Sequence, residues 1–339
     1  MNIRWILSSL LCVGALLHAT MQPKKEAPAY DADLFRKDVP VFSFHGSFLY
    51  WGVQEGSLDY VLKMQSTPPD GPSYAQGKFH TATFNVDPGF RIAASYFRAP
   101  HTWEIWGEYT RLTARGKNGV GAPEQVDRFL TATWPQLIDV PLSKAESHIH
   151  MNYNTAELMF DRYFMPNLHL RLRFLGGGLA AFIDQNWMIR YKNLENQNSR
   201  INNWWRFIGG GLRFGTMIDW FFGYDVYITA KTTFGTLVGS YHNTTRQVAS
   251  NEAIPVRNTH FSDVRPTFTI QGMIGPSWQK NFANTRLEIF AGYEINSWFN
   301  LQEVYRSTQN TGPGTSNQTW INTSMIALQG LTTRATIDF

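Results

Sequence analysis

The feature that most constrains this chain is an alternation of apolar and polar side chains with a period of two, which recurs from residue 41 to the last residue. Successive side chains of a strand point to opposite faces, so such a segment builds a sheet with two unlike sides. Residues 103–110 show it cleanly. Trp103, Ile105, Gly107 and Tyr109 share one face, and Glu104, Trp106, Glu108 and Thr110 the other. Leu168, Leu170, Leu172 and Phe174 oppose His169, Arg171 and Arg173. Leu287, Ile289, Ala291, Tyr293 and Ile295 oppose Glu288, Phe290, Gly292, Glu294 and Asn296. The alternation predicts strands near 41–53, 87–98, 102–113, 147–164, 167–184, 203–216, 223–241, 264–278, 284–300 and 320–339.

The connections between these segments fall into two classes. Residues 99–101, 165–166, 217–222 and 279–283 are short. Residues 54–86, 114–146, 185–202, 242–263 and 301–319 are long. Short and long alternate strictly, as they do in an antiparallel up-and-down barrel with tight turns at one end and loops at the other. An even strand number lets the first strand close against the last. The expected fold is all-β: a transmembrane up-and-down antiparallel β-barrel of about ten strands, with a range of eight to twelve, short periplasmic turns and long extracellular loops.

Composition supports a wall that faces lipid. Charged residues are 17% of the 339, against roughly 25% in an average soluble domain, while aromatics are 15%. Tyr50-Trp51, Tyr96-Phe97, Tyr163-Phe164, Trp204-Trp205, Trp220 with Phe221 and Phe222, and Trp298-Phe299 cluster where strands end, as in the aromatic girdles of membrane barrels. The competing reading is a soluble β-sandwich with these rings in its core. No stretch of about 18 apolar residues follows residue 20, so no helix spans a bilayer. The net charge of +4 has no dense basic cluster behind it, which argues against nucleic acid as a partner.

The N-terminus carries Arg4 and then an apolar run over 5–17, the pattern of a secretory leader, with a small-residue cleavage site at Leu17-His18-Ala19. A short membrane anchor is the alternative. Residues 1–19 are read as a signal peptide, 20–40 as a polar periplasmic lead-in and 41–339 as the barrel. The single cysteine, Cys12, falls in the leader, so the mature chain has no disulfide or cysteine-based metal site. The last strand ends in Ala335, Ile337 and Phe339, which resembles the assembly signal of outer-membrane barrels. Arg173-Phe-Leu-Gly-Gly-Gly-Leu179 is echoed by Arg206-Phe-Ile-Gly-Gly-Gly-Leu212. Such glycines widen the lumen locally or leave room for a large neighbour, and the loss of alternation around Arg206 predicts a bulge there.

Phe48-Leu-Tyr-Trp-Gly-Val-Gln-Glu-Gly-Ser-Leu-Asp-Tyr-Val61 resembles the opening stretch of the Legionella-type major outer membrane protein family. Pro88-Gly-Phe-Arg-Ile92 with Tyr96, Trp103 and Tyr109-Thr110 is similar to that family's next hairpin, and the Gly-Gly-Gly-Leu strands and the end from Gly330 to Phe339 are similar too. The resemblance covers most of the mature chain and implies a pore-forming protein of the outer membrane. Gly56-Ser57 stands where the family has a plain Gly, and the lack of mature cysteines sets the chain apart from barrels cross-linked by disulfides.

If apolar faces meet lipid, the opposite faces line the lumen. The expected lining is Arg91, Glu104, Glu108, Glu157, Asp161, Arg171, Arg173, Asp225, Lys231, Glu288, Glu294 and Arg334, a mixed-sign wall suited to small polar solutes. The same charges could pair and close the lumen, since ten strands lie near the filled end of the barrel series. The expected function is passive diffusion of small hydrophilic solutes, with no enzymatic role, no metal and no cofactor. Its partners would be outer-membrane lipid and lipopolysaccharide, the barrel-assembly machinery and the solutes themselves, with self-association left open. Two rivals stand beside it. One is a hydrolase on the barrel rim, using His148 and His150, or His260 with Asp263, to activate water. The other is an adhesive or structural wall protein, acting through the loops at 54–86 and 114–146.

Overall fold

The computed structural model describes residues 40–64, 77–98, 102–122, 130–134, 141–167, 169–249, 257–282, 285–307 and 319–339. The leader and lead-in segments proposed above lie outside them. The strands are β1 (Val41–Glu55), β2 (Asp59–Met64), β3 (Gly77–Thr81), β4 (Val86–Arg98), β5 (Trp103–Gly121), β6 (Leu130–Ala132) and β7 (Leu142–Asn167). They continue as β8 (Leu170–Asn193), β9 (Asn198–Gly223), β10 (Val226–Ala249), β11 (Arg257–Asn281), β12 (Arg286–Ser307) and β13 (Thr319–Asp338). Ten of them form a closed antiparallel ring in the order β1, β4, β5, β7, β8, β9, β10, β11, β12, β13. Closure runs through Phe44 opposite Ile337 and Tyr50 opposite Leu331, and Phe42 and Phe339 exchange both backbone hydrogen bonds, at 3.3 and 2.9 Å.

The ring strands are longer than a bilayer requires. β8 has 24 residues and β9 has 26. At ~3.3 Å per residue and a tilt near 40°, 24 residues rise roughly 60 Å, whereas the apolar band of an outer-membrane barrel is about 25 Å tall. Most of the large exposed apolar side chains lie on the part of each strand nearer the short turns, among them Leu158 and Phe160 on β7, Leu212, Phe214 and Trp220 on β9 and Ile289 and Tyr293 on β12, with Val264, Ile321 and Met325 as exceptions. Beyond them the outward positions turn polar. On β7 they become Asn154, Asn152, His150, His148, Glu146 and Lys144. The inward positions reverse in the same place, from Asp161 and Glu157 to Tyr153, Met151 and Ile149. Each long strand therefore carries two opposite polarity patterns joined end to end.

This reversal corrects the expected loops. Residues 185–202 are not a long loop. Trp187, Ile189 and Tyr191 point inward on β8, Ile201 and Trp205 point inward on β9, and only residues 194–197 turn the chain. Residues 242–263 likewise extend β10 and β11 and leave only 250–256 as the connection. The expected connection at 217–222 lies inside β9, and the turn is Tyr224-Asp225. Both residues are left-handed, with φ of 55° and 62°, as a two-residue hairpin of the primed type requires. There is no bulge near Arg206, because β9 holds its register against β8 and β10 throughout that stretch. The apparent break in alternation is the polarity switch itself: Trp205 and Phe207 face inward, then Ile208 and Leu212 face outward.

Candidate functional site in the barrel lumen

At the height of the apolar belt the lumen is filled with charge. Arg91 on β4 forks onto Glu294 of β12 at 3.1 and 2.8 Å, and its Nε lies 3.0 Å from Glu108 of β5. Glu294 also accepts from Gln271 at 2.5 Å and from the Thr332 hydroxyl at 2.9 Å. Arg171 donates to Asp219 at 2.8 Å, and Arg173 donates to Glu104 at 3.0 Å with Asp161 at 3.7 Å. Arg213 pairs with Glu157, Arg286 with Asp338, and Arg334 donates to Glu288 at 2.8 Å. Three of these links, Arg91 to Glu294, Arg173 to Glu104 and Arg213 to Glu157, cross between strands that are not neighbours and brace the ring through its interior, and the others tie adjacent strands.

Eleven of the twelve residues expected to line the lumen face it: Arg91, Glu104, Glu108, Glu157, Asp161, Arg171, Arg173, Lys231, Glu288, Glu294 and Arg334. Asp225 does not. It sits exposed in the β9–β10 turn, where its backbone carbonyl accepts from the Gln279 N–H at 2.9 Å. Sequence reasoning missed the buried Arg213, Asp219, Arg286 and Asp338: the first three pair with the predicted Glu157, Arg171 and Glu288, and Asp338 pairs with Arg286. Arg213 and Asp219 were legible as inward residues once the β9 register was known. Arg286 and Asp338 sit at strand ends, where the register of the alternation is hardest to read.

Within this network lies a cavity of about 80 Å³, bordered by Glu104, Glu108, Arg173, Lys231, Glu288 and Arg334 among others. At roughly 10–15 Å³ of such space per water it holds a handful of solvent molecules. Asp161 Oδ1 and Arg173 Nε make no hydrogen bond there, although Arg173 Nε lies 4.0 Å from Asp219 Oδ2. Lys231 lies over the Trp106 ring at 5.1 Å, a cation held by a π face within the lumen.

Above the charges an apolar layer crosses the barrel. Leu49, Trp51, Leu112, Tyr153, Leu179, Trp205, Phe207, Leu237, Tyr241, Trp298 and Leu328 form one buried cluster to which eight ring strands contribute. The two layers are tied together. Trp51 Nε1 donates to Thr332 at 3.0 Å, Thr332 donates to Glu294, and the Arg91 guanidinium lies 5.5 Å from the Trp51 ring centre. The glycine strands are part of this packing. A methyl group on Gly209 or Gly239 would lie 2.5 Å from Phe207 Cζ, so these glycines admit an aromatic ring and the lumen is narrowed there, not widened.

A second apolar cluster seals the loop end. Leu58, Tyr60 and Val61 around β2 and Leu130 and Trp134 around β6 pack against Ile149, Trp187, Ile189, Tyr191, Ile201 and Val304 of the ring. β2 pairs with β3 on one side and β6 on the other, and Leu130 of β6 pairs with Leu142 of β7. Two of the expected loops, 54–86 and 114–146, thus fold part of their length back over the mouth.

Of the candidate rim pairs, His260 and Asp263 lie on opposite faces of the wall. His260 is exposed and its Nδ1 meets the Thr244 hydroxyl at 3.1 Å, whereas Asp263 turns to the interior and takes Arg265 at 2.8 Å. His148 and His150 share the outward face of β7. Among the described residues no group of His, Cys, Asp and Glu is placed to hold a metal ion. Ala335, Ile337 and Phe339 all face outward on the closing strand.

The family model of the Legionella pneumophila major outer membrane protein precursor matches residues 38–339. No curated protein matches the chain. Among solved structures, the outer membrane protease OmpT of Escherichia coli is similar with a TM-score of 0.41 and 9% identity, over 88% of this chain and 96% of that one. The Pseudomonas putida toluene transporter TodX follows with a TM-score of 0.27 and 8% identity, over 91% and 92% of the two chains. A Pseudomonas aeruginosa FadL homologue has a TM-score of 0.24 and 6% identity, over 88% and 90%. The chain is an outer-membrane β-barrel and belongs to the family of the Legionella pneumophila major outer membrane protein precursor.

Proposed function

We propose that this barrel passes small hydrophilic solutes across the outer membrane, and that the conformation described here is its closed state. The observation that carries the reading is the cavity at membrane height, lined by charges of both signs. A barrel meant only as a wall gains nothing from a charged void in its middle, since burying charge is costly. The apolar layer above would be the gate, since a dry constriction blocks ions until it parts. In this reading the short turns face the periplasm and the loop end faces outside. It involves no enzymatic step, and the separation of His260 from Asp263 across the wall is in keeping with that.

Single-channel recording in planar bilayers tests it. The native protein should give small, infrequent steps. Trp205→Ala with Phe207→Ala should raise the opening frequency about tenfold, equivalent to roughly 1.4 kcal/mol of gate stability. Lys231→Glu should shift the preference of those steps towards cations. Absence of steps in all three proteins, each shown to be folded, would refute passage. The continuity of the apolar layer favours one other reading, a permanently closed wall protein, and that silent outcome would establish it.

A further inference from the structure

The outward face of β7 to β9, far above the apolar belt, holds an arrangement that lowers the stability of the bare protein. Lys144 of β7 stands directly opposite Lys192 of β8, and Arg190 of β8 directly opposite Arg200 of β9. Like charges facing each other across neighbouring strands repel. Glu146 is the one carboxylate lining the same surface, and it is taken by Lys144 at 2.6 Å. Arg190, Lys192 and Arg200 are exposed and have no ion pair among the described residues. These side chains, with Asn198, line a groove of about 560 Å³. That lies within the ~300–1,000 Å³ typical of ligand sites.

We infer that this groove binds a negatively charged sugar chain, and that the chain is the phosphorylated core saccharide of the cell's own outer-leaflet glycolipid. Four cations against one acid select an anion, and paired guanidinium groups suit phosphate, which they can grip through parallel N–H bonds. Bound phosphate would relieve both like-charge pairs at once. Height selects the sugar over the lipid. Lys144 lies fourteen positions beyond Leu158, the last large apolar residue on the outward face of β7, and Arg190 lies eight beyond Phe182, the last exposed one on β8, with the half-buried Met188 the only apolar residue between them on that face. At ~3.3 Å per residue and a tilt near 40°, that places the groove roughly 20–35 Å above the belt. Acyl chains and the phosphates next to them lie lower. The inference requires the loop end to face outside and is independent of whether the lumen conducts.

The test compares the full barrel in detergent with the variant Arg190→Glu/Arg200→Glu, using three probes: phosphorylated core oligosaccharide freed of its lipid, lipid A alone, and heparin. The core oligosaccharide should bind the native protein, weaken as salt is raised, and lose about tenfold or more in affinity in the variant. Lipid A should bind both proteins alike, which also shows that the variant is folded, and bilayer recordings of the two should match. Equal binding of the core oligosaccharide to both proteins would overturn the inference. Binding of heparin without the core oligosaccharide would overturn it too, since the groove would then serve a sulfated glycan from outside the cell.

Discussion

Glu294 shows how much one side chain can organise. It is fully buried and takes both arms of Arg91, the Gln271 amide and the Thr332 hydroxyl, and through Thr332 it holds the indole of Trp51. Removing it leaves both terminal nitrogens of the buried Arg91 guanidinium unpaired, with only Nε still held by Glu108 and Thr110. Glu294→Leu should cost about 3–5 kcal/mol, and adding Arg91→Met should restore most of that loss, as read from urea unfolding of the barrel in micelles. Gly239 makes a different demand, for space. Gly239→Ala drives a methyl into the Phe207 ring and should cost about 1–3 kcal/mol in the same assay. Gly121→Ala, where a methyl meets nothing within 4 Å, should leave stability nearly unchanged. The side each charge occupies was legible in sequence, because alternation fixes it. Asp225 misled because the alternation put the connection at 217–222 and began the next strand at 223, while the Tyr224-Asp225 turn itself lacks the glycine or asparagine that usually marks such a corner.

Among the elements, the β2–β3 hairpin is the one whose hold should depend on pH. Burial, and then the nearby Lys78 and Lys63, lower the pKa of His80 below its ordinary 6.5, and its Nε2 has no partner. The unfolded segment therefore takes up the proton first as pH falls. The stability that neutral His80 allows is fully present above about 6.5 and is lost progressively as pH drops towards the lower value of the folded state. Amide exchange in 59–64 and 77–81, corrected for the intrinsic rate, should speed up from pH 7.5 to 5.5, and His80→Gln should flatten that change. The long strands were legible only in part for a related reason. Their turn-proximal halves put apolar residues outward, and the rest of each strand puts them inward. Trp187, Ile189 and Tyr191 therefore fall on the opposite parity from Phe174 and Phe182, and a real strand looks like the end of one.

For the whole molecule, the two polarity patterns divide the barrel into a membrane stage with a charged interior that encloses a small cavity and an outer stage with a largely apolar interior and a polar wall. The closed ring of ten, its antiparallel order and the tight turns at one end were all implied by the spacing of the alternating segments. The apolar layer was not, because it is assembled from residues on eight strands that meet only after closure. The most direct test reads this division along one strand. Single spin labels on β10, placed in a chain without Cys12, report contact with oxygen dissolved in lipid and with a water-soluble nickel complex. Labels at Phe234 and Val238 should be reached by oxygen, labels at His242 and Arg246 by nickel, and a label at Tyr241 by neither. Lipid contact continuing to Arg246, or nickel reaching Tyr241 as freely as His242, would contradict the account.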